Sequence, residues 1–479
     1  MSRTGSTSSR SSSASKSDES VFPSEEIPKL NADFVAAGSY GCVVKPALPN
    51  VNVEGNDPSW KYYDGNVTKL YTNKDHLKKA IKDAKRIYKM TDNDGHLVHP
   101  YKFEAYKGKH LKPATLKACK YIPANKFMNP LRMPNLGYSI HDLKRGRHEE
   151  LAVMRKIPAS VIFKQILKCL KQVERFHAKG YIHGDLRTTN IMVDPSTGAI
   201  TIIDFDWFSR TDDFFHNYMH NLGYYNNPPE CLLPQIFTWI PEGKSIEAYI
   251  KEILATEVSS STPREIRKFV SVFQTYVQQT TSMHEYRLNP KFAINEKALV
   301  NSLVKSADFI TEKIGSSSNK YKTFYKLVEP SFDSYGLCFS LLELIYLIYP
   351  RVFEEKTKES IERFARATSM AMPVADVAFD TLQEFIKDVL VPCTSLTLQD
   401  RLPIGGAYEK AKSIFDKFDS EVGTVMGALT RTKSRSRSPA SRSRARPPGF
   451  GSPRPTKRAK KNQAGGAKRA SAAFTRRRA

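Results

Sequence analysis

No C-x-x-C pair occurs in the chain. Its six cysteines stand far apart, at positions 42, 119, 169, 231, 338 and 393. That spacing argues against a zinc site or a disulfide framework and predicts free thiols in a reducing compartment. Nor is there an uninterrupted apolar run of the ~20 residues that a membrane span needs. The longest, FSLLELIYLIYP at 339–350, contains Glu343 and reads as a buried helix. The N-terminus lacks a secretory hydrophobic region, so the expected placement is soluble and intracellular. No internal repeat is found. Acidic residues are missing from 431–479, where 17 Lys or Arg stand. Of the formal net charge of +25, the other 430 residues carry only +8. A polycationic tail thus follows a mildly basic body.

What is present supports a folded body of about 28–427 within the 479 residues, since 40% of the chain is hydrophobic. Residues 1–27 are Ser-rich and 428–479 are low-complexity Arg/Ser sequence. Both are expected to be disordered, because they cannot bury enough surface to offset ordering entropy. DFVAAGSYGCVVKP at 33–46 reads as two strands around a Gly turn, and GNVTKLYT at 65–72 as a third. Leu77, Ile81, Ala84 and Tyr88 mark a helical face over 75–90. MPNLGYSIHDL at 133–143 reads as a strand leaving into a linker. A helix over 160–178 would bury Ile162, Ile166, Leu170 and Val173 and end at Gly180. From 245 to 427 the pattern is almost wholly helical. A strand-rich first third and a helix-rich remainder predict an α+β fold of two lobes.

The stretch YIHGDLRTTNIMVD at 181–194 places Asp185 and Asn190 directly before an apolar strand, and AITIIDFD at 199–206 follows the turn sequence DPSTG. A hairpin of these two strands would bring Asn190 and Asp204 to one end, beside Asp185. Oxygen ligands so grouped suit Mg²⁺, which takes few protein oxygens and leaves the rest to water and phosphate. The structural alternative is a network of Asx turns.

HGDLRTTN resembles the H-R-D-L-x-x-x-N catalytic loop of eukaryotic-type serine/threonine protein kinases, and IDFD resembles their D-F-G. Further parts follow in order over roughly 33–427. GSYGCV at 38–43 resembles the Gly-rich loop; its Gly38, Ser39, Tyr40, Gly41 and Val43 would lie against ATP. Lys69 in VTKL would hold the α and β phosphates, although alone it reads as a surface lysine. NPPE at 227–230 resembles A-P-E, with Arg401 as the partner of Glu230, and DSYGL at 333–337 would supply Asp333 as a buried acid bracing the catalytic loop. The resemblance implies a bilobal protein-kinase-like fold, with a small β-rich lobe at 28–136 and a large helical lobe at 137–427. It implies ATP and Mg²⁺ as cofactors. Asp185 would accept the proton of a protein hydroxyl, Arg187 would contact the transferring phosphoryl group, Asn190 and Asp204 would hold Mg²⁺, and Met133 and Leu136 would border the adenine.

Several positions depart from that pattern. The small-lobe helix offers no Glu to Lys69, leaving Asp83 or Asp75 as its expected acidic partner. Gly184 stands where an Arg usually reads a phosphorylated segment, so activity without such phosphorylation is expected. Asp206 replaces the D-F-G glycine. Extra sequence is expected at 48–64, and a long helical insertion at 231–332. These features resemble the divergent kinases encoded by large DNA viruses, which implies placement in the host cytoplasm or nucleus, or in a virion. Competing readings are a small-molecule or atypical kinase of the HGDLxxxN type and a pseudokinase scaffold. The tail, with KRAKK at 457–461, reads as a nuclear address or a nucleic-acid-binding segment. Ser434, Ser436, Ser438, Ser441 and Ser443 in it are candidate phosphorylation sites.

Overall fold

A computed structural model describes residues 30–38, 41–48, 65–91, 107–120, 122–126, 128–218, 228–257, 264–285, 296–315 and 320–435. The chain divides into two units, Met1–Gly427 and Ala428–Ala479, and the fold below is that of the first. Of the segments expected to be disordered, 1–27 and 428–479, the first and residues 436–479 of the second lie outside the described residues, as does nearly all of the expected extra sequence at 48–64.

The first unit is α+β. Strands β1 (Asp33–Gly38), β2 (Gly41–Lys45), β3 (Asn66–Tyr71) and β4 (Asn129–Pro134) form an antiparallel sheet in sequence order. Helix α1 (Lys74–Met90) follows β3, with Asn73 accepting from the Asp75 amide as its N-cap. Helix α2 (Pro113–Ala118) precedes β4. Alternation along the strands gives the sheet two faces. Cys42, Val44 and Leu70 pack with Leu111, Cys119, Ile122 and Met128 on one of them. The register pairs Val43 with Lys69, Lys69 with Leu131, and Val67 with Met133, which puts these five on the opposite face.

The remainder is chiefly helical. In chain order come β5 (Tyr138–Ser139), α3 (Ile140–Lys144), α4 (His148–Met154), α5 (Ala159–Ala178), β6 (Tyr181–Ile182), β7 (Ile191–Val193), β8 (Ile200–Ile202), β9 (Ser209–Arg210) and α6 (Thr211–Tyr218). Then follow α7 (Leu233–Trp239), α8 (Ile246–Ala255), α9 (Arg264–Glu285), α10 (Glu296–Ile314), α11 (Lys320–Ile348), α12 (Lys358–Thr368), α13 (Met372–Phe385), the short α14 (Val391–Cys393) and α15 (Ile404–Arg435). Helices therefore fill the described part of 231–332. They close over a cluster of their own that includes Phe214, Phe215, Ile250, Phe273, Leu303 and Phe332. The main core joins α5, through Ile162, Ile166, Leu170 and Val173, to β7, β8 and the second half of α11. Within α11 the stretch Lys322–Ile348 is long and apolar enough to cross a membrane, yet 89% of its most apolar window is buried inside this fold. It is the central core helix expected from FSLLELIYLIYP, and its Glu343 meets Lys144 at 3.4 Å.

Three expectations are corrected. Cys42 and Cys119 are joined in a disulfide, with Cα atoms 5.7 Å apart and 77 residues between them in sequence. Only Cys169, Cys231, Cys338 and Cys393 are the buried free thiols expected of all six. Local cysteine spacing carries no information about a pair that tertiary packing brings together. Helix α1 buries Asp83, Ile87 and Met90 rather than the Leu77–Ile81–Ala84–Tyr88 face, whose members are half-buried. The last helix runs to Arg435, past the boundary expected at 427. No proline stands before Pro439 to break it.

Candidate active site

The hairpin that carries the site folds for local reasons. Asp194 opens its turn by accepting from the Ser196 amide at 2.9 Å, and Gly198 takes a φ of +75°. Ile191 then faces Ile202, and the Ile203 amide donates to the Asn190 carbonyl at 2.9 Å. Asn190 and Asp204 therefore flank the same end of the β7–β8 pair, as the sequence predicts. Asp204 adopts the left-handed region, with φ 63° and ψ 66°. A non-glycine residue held there marks a backbone conformation imposed by its surroundings.

The loop before β7 is fixed from below by Asp333 on α11. One carboxylate oxygen accepts from the His183 amide at 2.7 Å and lies 3.0 Å from His177 Nε2; the other accepts from the Gly184 amide at 3.0 Å. Asp333 is thus the buried brace expected of it. These bonds hold its carboxyl below the usual range despite complete burial. His183 ties the loop sideways, with Nε2 3.1 Å from the Ile203 carbonyl and its ring against Phe205. Gly184 has a φ of +81°, and a Cβ there would sit 2.2 Å from the Phe214 ring. The arginine usual at this position in the resembled family could not take that backbone conformation without displacing Phe214.

This scaffold presents Asp185, 8% exposed. Its Oδ2 accepts from Asn190 Nδ2 at 2.8 Å and lies 3.3 Å from Arg187 Nη2. Burial, with the charges of Asp204 and Asp206 adding to it, pushes its carboxyl up to about 7, against the pull of Arg187 and Asn190. Across from it, Lys69 Nζ bridges Asp204 Oδ1 and Asp206 Oδ2, each at 2.9 Å. Burial draws the ammonium down, but these carboxylates outweigh it and hold Lys69 well above its ordinary value. Burial also works against Asp204 ionising, yet Lys69 keeps its carboxyl low; Asp206 is pushed up by burial and by Asp204.

Lys69, Asp185, Arg187, Asn190 and Asp204 are brought together. Val43 stands opposite Lys69 in the sheet, and Met133 lies on the same sheet face, opposite Val67. Leu136 is half-buried in the connection to β5. Gly38 ends β1 and Gly41 opens β2, where a Cβ would meet the Leu70 carbonyl oxygen at 1.8 Å, so that only glycine fits. Ser39 and Tyr40 lie outside the described residues, as does the Glu230 side chain with its expected pairing to Arg401. Arg401 itself is buried, donating to the Ser395 carbonyl at 3.0 Å and stacking on Tyr335.

The expected helix partner of Lys69 is corrected. Asp83 pairs with Lys79 at 2.9 Å and Arg86 at 3.4 Å on its own helix, and Asp75 is exposed beside Lys78. Asp206 holds Lys69 instead. Helix α1 joins the site through Lys79, whose Nζ donates to the Asp206 carbonyl at 2.8 Å. Reading Asp206 only as a substituted glycine missed this role; the two carboxylates of D-F-D, two positions apart, were the available signal. His177 and His183 were missed as well, since their partners are 156 and 20 residues away.

Among the described residues, no group of three His, Cys, Asp or Glu is arranged as a metal cage. The donor set nevertheless fits a hard divalent cation held partly by phosphate. Three carboxylates, Asp185, Asp204 and Asp206, face two cations, Lys69 and Arg187, with the Asn190 amide oxygen as a further donor. Burial first, and the neighbouring carboxylates second, displace Asp185 and Asp206 upward. No protein-family model matches the chain, and no curated protein matches it at a significant level.

Proposed function

We propose that the chain is an ATP-dependent serine/threonine protein kinase with a bilobal protein-kinase-like fold, resembling the divergent enzymes of large DNA viruses. One observation carries this reading. Lys69, from the four-stranded sheet, meets Asp204, from the β7–β8 hairpin, at 2.9 Å, while Asp185 and Asn190 join at 2.8 Å beside them. Four residues spread over 136 positions of sequence thereby form one polar floor.

In this reading ATP lies between the sheet face of Val43, Val67, Lys69 and Met133 and the hairpin. Lys69 holds phosphate oxygens, trading part of its bond to the carboxylates for them. Mg²⁺, held by Asn190 and Asp204, would neutralise phosphate charge. Asp185 orients the acceptor hydroxyl and takes its proton as the oxygen attacks the γ phosphorus; the bond from that phosphorus to the β,γ-bridging oxygen breaks, and ADP leaves. A carboxyl displaced to about 7 suits a general base near neutral pH. Arg187, 3.3 Å from Asp185, stands where it can meet the transferring group. Protein hydroxyls are the substrates in this reading. The basic residues of 431–479 would serve nucleic-acid binding or nuclear import.

The test is transfer of labelled γ-phosphate from ATP with Mg²⁺ to casein and to a basic protein, by the intact chain and by Asp185→Asn. Labelled serine or threonine that disappears in the variant supports the kinase. Label on small acceptors alone favours a small-molecule kinase. Mg²⁺-dependent ATP binding without turnover favours a pseudokinase scaffold.

A further inference from the structure

We propose that a cleft at the C-terminal end of α11, formed with α12 and the end of α4, binds a phosphomonoester group, either as free phosphate or carried on a serine side chain. The inference does not rest on phosphotransfer by this chain.

The cleft encloses about 590 Å³ and is lined by Arg155, Arg351, Arg363 and Arg366 together with Tyr349 and Phe364. That volume lies in the range of small-molecule sites. Carboxylates neutralise only part of the charge. Glu354 bridges Arg351 and Arg363, and Glu359 lies 3.5 Å from Arg363. Arg155 instead donates to the Leu347 and Ile348 carbonyls, each at 3.2 Å, and Arg366 to the Glu362 carbonyl at 3.4 Å. The Arg155 bonds close the end of α11, but a guanidinium has five N–H donors, and these internal bonds use only some of them. Four guanidinium groups therefore face two carboxylates.

The side chains of Arg351 and Arg363 stay partly exposed beside their carboxylate partners, and Arg366 is exposed. An anion in the cleft can therefore meet guanidinium edges that the carboxylates leave open. Tyr349, 1% exposed, lines the cleft beside them. The donors reach it from three elements: the end of α4, the turn after α11, and α12. Such a spread suits a tetrahedral anion with three accepting oxygens better than a planar carboxylate. Phe364, packed edge-on against Tyr349 at 5.7 Å, supplies an apolar wall for the carbon that bears the phosphate.

The test is calorimetric titration of the full chain carrying Lys69→Met, which disables phosphate binding at the candidate active site. Inorganic phosphate, O-phosphoserine and serine are titrated separately. One saturable site for inorganic phosphate or O-phosphoserine, with none for serine, is expected. Arg366→Gln should weaken it about tenfold, the effect of losing a charge-assisted donor. Tighter binding of O-phosphoserine identifies the carried ester; equal or weaker binding identifies free phosphate. No saturable site, equal binding of serine, or unchanged affinity in Arg366→Gln overturns the proposal. Arg366 is exposed and bonds only within its own helix, so its replacement does not endanger the fold.

Discussion

Asp333 braces a loop and Asp185 is carried by it, and the fold treats the two carboxylates in opposite ways. Asp333, 1% exposed, receives two backbone amides and the His177 ring. Its charge is fully answered, and its carboxyl is held low. Asp185, 8% exposed, receives the Asn190 amide and one edge of Arg187 while facing Asp204 and Asp206. Its carboxyl is pushed up to about 7. Burial alone does not separate a structural acid from a reactive one. The separation comes from whether the protein supplies the partners of the charge or leaves them to a substrate.

The largest effect that would test this contrast is on catalysis. If the chain is the kinase proposed above, Asp185→Asn should lower kcat by at least about 10³-fold, as expected for loss of a group acting in the transition state, while the protein stays folded. Steady-state phosphate transfer and circular dichroism together check it, and a folded, fully active variant would end the general-base role. Asp333→Ala should do the reverse. It leaves the His183 and Gly184 amides buried without an acceptor and should destabilise the chain by about 3–5 kcal/mol, read by urea unfolding. A loss of activity without a loss of stability would break the comparison.

The two acids should also respond to pH with opposite signs. The folded Asp185 carboxyl binds its proton more tightly than the unfolded one, which titrates near 3.9. Its contribution to stability is therefore full below about pH 4 and is lost as pH rises to about 7. For Asp333 the folded value is depressed, so its contribution is present above the unfolded value and lost as pH falls further. Between about pH 4 and 7 the wild type should lose stability that Asp185→Asn keeps, up to about 4 kcal/mol. Parallel unfolding curves for the two proteins across that window would remove the basis for a poised Asp185. The smallest expected effect belongs to Asp206→Asn. Lys69 retains Asp204, so kcat/KM should fall by about tenfold, the size of one charge-assisted bond, and chiefly through KM for ATP. A loss as large as that of Asp204→Asn would make Asp206 an equal member of the site.

Much of the site was legible because it is local. HGDLRTTN and the DPSTG turn fix Asp185, Asn190 and Asp204 within 20 residues, through a hairpin whose register follows from turn chemistry and β-branched strands. Asp333 was legible through its neighbours in DSYGL. The helices over 74–90 and 159–178 followed from apolar period. The buried face of α1 did not, because Asp83 enters it with Lys79 and Arg86 as partners.

The sequence by itself determined the α+β pattern and the residue types gathered at the β7–β8 end, since each depends on contacts among near neighbours. Only the tertiary structure decided that Lys69 pairs with Asp206 rather than with an acid on α1, that Cys42 meets Cys119, that Gly184 must make room for Phe214, and that four arginines converge beside Tyr349. Each of those joins side chains from separate elements. Their meeting is set by how sheet and helices pack, and no local period or spacing encodes it.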